Sequence, residues 1–401
     1  MESTGLPVQI QRKGTAMDKG TANSCFGQLL APLNRNAVQR IVAAHGADRY
    51  VRKLTTWALL VLLVQAQLLE KRGLRSIERM LVNEDLQRTL GFQSISSSQV
   101  SRTCTRIAPE VFEDIYDNLV QTVRGVLKNE TRQFTKMGPV KIVDSSTVTL
   151  CLEKYRWALY KRDKGGIKIH LRLAFVDEGR TYPEKVVITP AKPDDRNQMN
   201  VMVDESNAMY VFDRGYVDYG KFDQYCEAQI GFTTRLRRKA IYEVVKELPV
   251  SQDSPILRDT LVILGNPQKR MKNVLRRLET VDSQGNTIVI LTNCFDVPAE
   301  EIGELYRNRW KIELFFKYIK QHLKMTKFYG TTQNAVTNQI LIGLISYLLL
   351  FLMQFKSGAK QSLLDLHDLL VELLWQPWKR MLDIVHRRPS RTSKGRQKKR
   401  E

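Results

Sequence analysis

A single acid, Glu313, stands among Tyr306, Arg309, Lys317 and Lys320 in residues 306–320. At about 100° per residue, Tyr306, Arg309, Glu313, Lys317, Lys320 and Lys324 fall within about ±40° of one line. Leu305, Ile312, Phe316, Ile319 and Leu323 form a second stripe roughly 90° round. No Gly or Pro interrupts the stretch, and Pro298 with Glu300 and Glu301 supplies a start signal. The pattern therefore predicts one helix. Two chemistries fit its polar stripe. One is a solvated face whose Glu–Lys pairs add a few tenths of a kcal/mol each. The other is an acid aimed at a metal, with cations aimed at phosphates.

Two further acids each close an apolar run: Asp144 after residues 140–143, and Asp213 after residues 209–212. Singly, an Asp after a strand reads as a turn residue. Two such acids with a Glu on a later helix read as a site. Phosphodiester cleavage needs an activated water and a stabilised leaving oxygen, and two divalent ions about 3.5–4 Å apart supply both. Carboxylates without His or Cys suit Mg2+, with Mn2+ able to replace it, and suit zinc poorly.

The spacing of Tyr306, Arg309, Glu313 and Lys320 resembles the Y-R-E-K signature of DDE transposases of bacterial insertion sequences, in the IS-four group. The resemblance runs over roughly residues 138–355. Its anchors are V-D-S-S at Asp144, F-D-R-G-Y at Asp213 and Y-x-x-R-W-x-I-E at Glu313. It implies an α/β fold with an RNase H-like catalytic core, in which Asp144, Asp213 and Glu313 are the catalytic acids and hold Mg2+. Hydrolysis would free a 3′-hydroxyl, which then attacks target DNA without a covalent enzyme intermediate. Tyr306, Arg309 and Lys320, with Lys317 on the same stripe, would hold phosphates near the scissile bond. The implied partners are double-stranded DNA at transposon ends and target, with a homodimer in the DNA complex. The implied location is cytoplasmic, with the nucleoid. Two alternatives remain: a metal-dependent nuclease without strand transfer, and a non-catalytic DNA-binding protein derived from a transposase. One feature departs from the family. Some relatives stack a Trp of the insertion on a flipped base. Here the only Trp between Asp213 and Glu313 is Trp310, read as core packing, so a hairpin route is not expected unless it uses another aromatic such as Tyr242.

Composition agrees with a polyanion partner. The 401 residues carry a formal charge of +21, and the pI is near 9.8, which points to DNA. Five scattered cysteines without C-x-x-C spacing read as reduced thiols and no zinc site. The apolar runs 54–69 and 340–353 are interrupted or short of the roughly 20 residues a membrane span needs. Both read as buried helices, so no membrane partner is expected. Residues 1–20 lack the apolar run of a signal peptide.

The elements that must position these groups follow in chain order. Residues 1–22 are polar and expected to be disordered, and Met17 is a second candidate start. Residues 23–130 read as a helical DNA-binding domain. A helix opened by the serines at 96–98 offers Gln99, Arg102, Thr103 and Arg106. It is similar to the second helix of a helix-turn-helix, or else is an ordinary capped surface helix. Residues 138–375 read as the catalytic domain. A strand 140–144 is expected to pair with a returning strand 145–152. Strict alternation marks 167–176, with Lys168, His170 and Arg172 on its polar face. His170 reads as a structural residue or as site lining. Further strands are expected at 185–189, 209–213, 230–236 and 287–292, with a helix at 195–206. A β-rich insertion spans about 237–285, where Lys269, Arg270, Lys272, Arg276 and Arg277 are candidates for DNA phosphates. Residues 387–401 hold eight Lys/Arg and one Glu, the composition of a disordered tail that associates with DNA.

Overall fold

The computed structural model describes residues 19–128, 134–161, 164–177, 180–191, 195–237, 239–282, 284–322 and 327–387. Leu323, Lys324 and the basic tail beyond Arg387 lie outside them, as do residues 1–18. Residues 19–22, expected to be disordered, belong to the first helix.

Helices α1 (Lys19–Asn23), α2 (Cys25–Leu30), α3 (Arg35–Ala44), α4 (Thr56–Leu68), α5 (Leu74–Met80), α6 (Glu84–Leu90), α7 (Ser97–Arg106) and α8 (Pro109–Val126) precede the sheet. Local chemistry sets where several begin. Ser24, Asn34, Thr55, Asn83 and Ser96 each accept a backbone N–H of the helix that follows, which satisfies a donor the helix leaves unpaired.

The strands are β1 (Val140–Leu150), β2 (Leu159–Lys161), β3 (Lys164–Asp177), β4 (Arg180–Pro190), β5 (Met209–Phe212), β6 (Gly231–Arg235), β7 (Tyr242–Leu248), β8 (Ile256–Leu264), β9 (Leu275–Val281) and β10 (Thr287–Thr292). They form one sheet in the order β2-β3-β1-β5-β6-β10-β9-β8-β7, with β4 also on β3. β4, β3 and β1 are mutually antiparallel neighbours, and β1, β5 and β6 run parallel. That arrangement is RNase H-like. The insertion strands β7–β9 lengthen this sheet through β10 rather than forming a separate layer. β1 departs from expectation. It does not end at Asp144 and fold back, because its whole length pairs with β3, from Val140↔Phe175 to Leu150↔Gly165. Ser-Ser-Thr contains nothing that stops a strand with such a partner. The helix expected at 195–206 is a short 3-10 turn followed by α9 (Met199–Met202).

The later helices are α10 (Tyr219–Glu227), α11 (Ala299–Arg307), α12 (Trp310–His322), α13 (Gln333–Ser357), α14 (Leu363–Glu372) and α15 (Trp378–Val385). The 340–353 run is the middle of α13. By length and composition α13 could cross a membrane, but its apolar window is wholly buried inside the protein. It packs against α2, α4, α7, α8 and β4. The amide of Asn338 donates to the carbonyls of Cys104 (3.1 Å) and Ile107 (2.8 Å), which ties α13 to α7. One apolar core thus runs from Cys25 to Val385, so the helical region and the sheet share it.

Candidate active site

The alternation of β-strands brings the acids together. Side chains two apart on a strand share a face. Val140 and Ile142 on β1, and Met209 and Val211 on β5, belong to the same core as Ile312, Phe316 and Ile319 of α12. Asp144 and Asp213 continue those two series. The parallel register pairs Val143 with Phe212, so each acid is the next residue beyond the last pair. Both therefore lie at one level, on the face that α12 covers. Glu313 sits in the first turn of α12.

The expected single helix is broken. α11 ends at Arg307 and α12 begins at Trp310. The side-chain amide of Asn308 donates to the Glu304 carbonyl (3.1 Å), and the N–H of Arg309 to the Tyr306 carbonyl (3.1 Å). These bonds close the first helix and turn the chain into the second. The turn puts Arg309 between two acids: its guanidinium donates to Glu313 Oε1 (2.6 Å) and lies 3.7 Å from Asp144 Oδ2. It also lies 6.0 Å from the ring centroid of Tyr306, which is buried.

Burial pushes the Asp144 carboxyl up to about 6; the nearby Asp213 and Glu313 push the same way, while the Ser145 N–H and Arg309 oppose them. A divalent cation beside Asp144 would favour its ionised form. Among the described residues no group of three or more His, Cys, Asp or Glu side chains stands close enough together to hold a metal ion. The donors fit a hard cation that keeps waters and takes up substrate phosphate, because such ions use few protein carboxylates. Glu313 is 56% exposed, which leaves that side open to substrate.

On α12, Lys317 is exposed and Lys320 half-buried; burial lowers the Lys320 ammonium. Neither is paired with an acid among the described residues. Trp310 is 55% exposed, not core packing.

Behind Asp144 lies a group that the sequence did not reveal. Asp195 accepts from the Ser145 hydroxyl (2.9 Å) and pairs with Lys168 (2.9 Å). His170 Nδ1 is 3.6 Å from Asp195 and its Nε2 is 3.1 Å from the Thr189 hydroxyl. Burial lowers its imidazole to about 4, so His170 is a neutral packed residue. Arg214 and Arg237 line a cleft with Asp213. The Arg in F-D-R-G-Y was the available signal for the first of these.

The other candidates divide. Lys269, Arg270 and Lys272 are exposed, Arg270 beside Glu243 (2.7 Å). Arg276 and Arg277 are buried: Arg276 forks onto Asp259, and Arg277 pairs with Glu279 and stacks over Tyr242. Those two are not free for phosphate, and the Tyr242 ring is covered by a cation. On α7, Arg102 is exposed, Gln99 is half-buried and Thr103 is buried, its hydroxyl bonded to the Gln99 carbonyl (2.9 Å). Arg106 is exposed but donates to the Ala47 carbonyl. Of the base-reading candidates only Arg102 is both exposed and without a partner among the described residues.

The strand order is that of an RNase H-like fold, the fold of DDE-class nucleic-acid enzymes. The family of the Transposase DDE domain matches residues 135–349, and the chain belongs to it. A domain of unknown function, DUF4372, matches residues 21–93. The chain is 31% identical over 251 residues to a probable transposase for insertion sequence element IS5377 of Geobacillus stearothermophilus, covering 62% of this chain and 66% of that protein. It is 31% identical over 270 residues to the putative transposase y4zB of Sinorhizobium fredii, covering 66% and 74%. Among solved structures, a piggyBac transposase synaptic complex with hairpin DNA aligns over 92% of this chain and 83% of that one, at 11% identity and a TM-score of 0.46.

Proposed function

We propose that this DNA transposase binds the terminal inverted repeats of an insertion sequence and performs cleavage and strand transfer with Mg2+ held by Asp144, Asp213 and Glu313. Mn2+ would replace Mg2+. The observation that carries this reading is the shared level and face of the two aspartates beneath the helix that bears Glu313. Bound there, the cations would supply an activated water and a stabilised leaving oxygen. Arg309 holds Glu313 and approaches Asp144, so it orders the acids and is placed to meet a phosphate. Tyr306 packs beneath it. Lys317 and Lys320 extend positive charge along the same helix, on the side where DNA would enter. A homodimer on paired ends, acting in the cytoplasm at the nucleoid, completes the reading.

The test uses DNA with pre-cleaved ends carrying a free 3′-hydroxyl, incubated with Mg2+ and a target plasmid. Joined products support transposition. Hydrolysis without joining would reduce the protein to a nuclease.

Lys320→Ala should slow cleavage on the order of 10- to 100-fold, the scale of one lost hydrogen bond to a charged group. Its effect on the urea midpoint should be small, since the side chain has no acidic partner to strand. Cleavage and salt dependence both equal to wild type would return Lys320 to an ordinary solvated position.

A further inference from the structure

A groove of about 860 Å3 opens between α5, α7 and the segment at Phe328 and Tyr329. Arg72, Arg75, Arg79 and Arg102 line it, with Ser98 and Ser101. The helices fix this arrangement. α5 buries Ile77 and Met80, which turns Arg75 and Arg79, four residues apart, to solvent. α7 buries Val100 and Cys104, which turns Ser98 and Arg102 outward in the same way. All four arginines are exposed, and none is paired with an acid among the described residues. Among the described residues no acidic side chain lines the groove. The nearby Glu78 is engaged by the backbone N–H of Ser97 (3.0 Å).

Several arginines elsewhere in the chain are tied to acids, such as Arg276 to Asp259, Arg172 to Glu184 and Arg309 to Glu313. Four unpaired guanidinium groups on one groove repel each other and call for an anionic ligand. Their planar forks match phosphate oxygens, and serine hydroxyls donate to the same acceptors. The groove is open and larger than one phosphate needs, which favours a run of them. It also lies near the candidate acids. From Glu313 to His322 α12 rises roughly 14 Å at 1.5 Å per residue. The six residues to Phe328 add at most about 21 Å. Phe328 is therefore no farther from Glu313 than about one turn of duplex DNA, ~34–36 Å.

We propose that this groove seats the sugar–phosphate backbone of duplex DNA, with Arg72, Arg75, Arg79 and Arg102 as phosphate contacts independent of base sequence. It gives a role to part of the region matched by the domain of unknown function. It rests on the reading of the chain as a DNA enzyme and adds a second anchor away from the acids.

The test measures binding of the full chain to a random-sequence duplex of about four helical turns, ~40 base pairs, across a salt series. Four proteins are compared: wild type, Arg75→Ala/Arg79→Ala, Arg75→Lys/Arg79→Lys, and a control, Lys360→Ala/Lys379→Ala, that removes two exposed charges elsewhere. The alanine pair should flatten the slope of log K against log salt by about 1.8, at about 0.9 per lost contact. Affinity should fall at least about tenfold, and the lysine pair should recover most of the slope. An alanine pair that binds like wild type, or a control that loses as much, overturns the groove. If wild type still nicks DNA in that case, the enzyme reading survives alone. If wild type neither binds nor nicks duplex, both fall.

Discussion

Asp144→Asn, Asp213→Asn and Glu313→Gln should each cut Mg2+-dependent nicking on the order of 10⁴-fold, the scale for removing one member of a catalytic unit. Duplex affinity should persist. Each change keeps the side chain's shape and removes the charge that a divalent ion needs. The losses should not add, because three acids that hold one set of ions fail together. Glu313→Gln also tests the role of Arg309, which donates to Glu313 Oε1 at 2.6 Å. An amide still accepts that bond, so the fold should be retained while activity is lost. A variant that nicks at close to the wild-type rate removes its residue from the site.

The largest effect on stability should come from Glu184, which is not among the candidate DNA contacts. Its carboxylate accepts from Lys141 Nζ (2.9 Å), Arg172 Nε (3.0 Å) and Arg124. Lys141, Arg172 and Glu184 are all buried, and Asp204 and Glu205 complete the network at its rim. Burial alone would raise the Glu184 carboxyl. Lys141, Arg172 and Arg124 outweigh it and hold the group below its usual range. Glu184→Ala leaves two buried cations short of a partner and should cost about 3–5 kcal/mol. The urea midpoint should fall while the slope stays unchanged. The pH dependence follows from the sign of the shift. A depressed carboxylate contributes its full stability above the unfolded value, near 4.5, and loses it as pH falls through the folded value. The gap between wild type and variant should therefore narrow in acid. A cost below about 1 kcal/mol would mean that water reaches the cations.

The acids were legible because strand chemistry leaves a local trace. Apolar runs closed by Asp144 and Asp213, and strict alternation through Ile167, Ile169, Leu171 and Leu173, need no knowledge of tertiary partners. Features that depend on distant partners, or on a side chain returning to the backbone, were not legible. The break after Arg307 has no Gly or Pro to announce it; it depends on an Asn308 side chain returning to a carbonyl. Trp310 reads as core from its large apolar ring, whereas it is exposed. Arg276 and Arg277 read as a surface cluster, because nothing local says that Asp259 and Glu279 will bury them. Thr103 looked available for bases, but α7 turns it into the core beside Cys104. The continuation of β1 past Asp144 is likewise set by its partner β3. The same limit hid the groove, since Arg72 before α5, Arg75 and Arg79 on α5, and Arg102 on α7 share no motif.

The central claim is that Asp144, Asp213 and Glu313 hold a divalent ion together. It can be tested without knowing the DNA sequence recognised. Fe2+ is substituted for Mg2+, and ascorbate with peroxide generates radicals that cut the polypeptide beside the bound ion. The expected fragments map to breaks near residues 144, 213 and 313. They should be suppressed by excess Mg2+ and absent in Asp144→Asn. Breaks confined to other parts of the chain, or an unchanged pattern in Asp144→Asn, would contradict the assignment of these acids to one metal site.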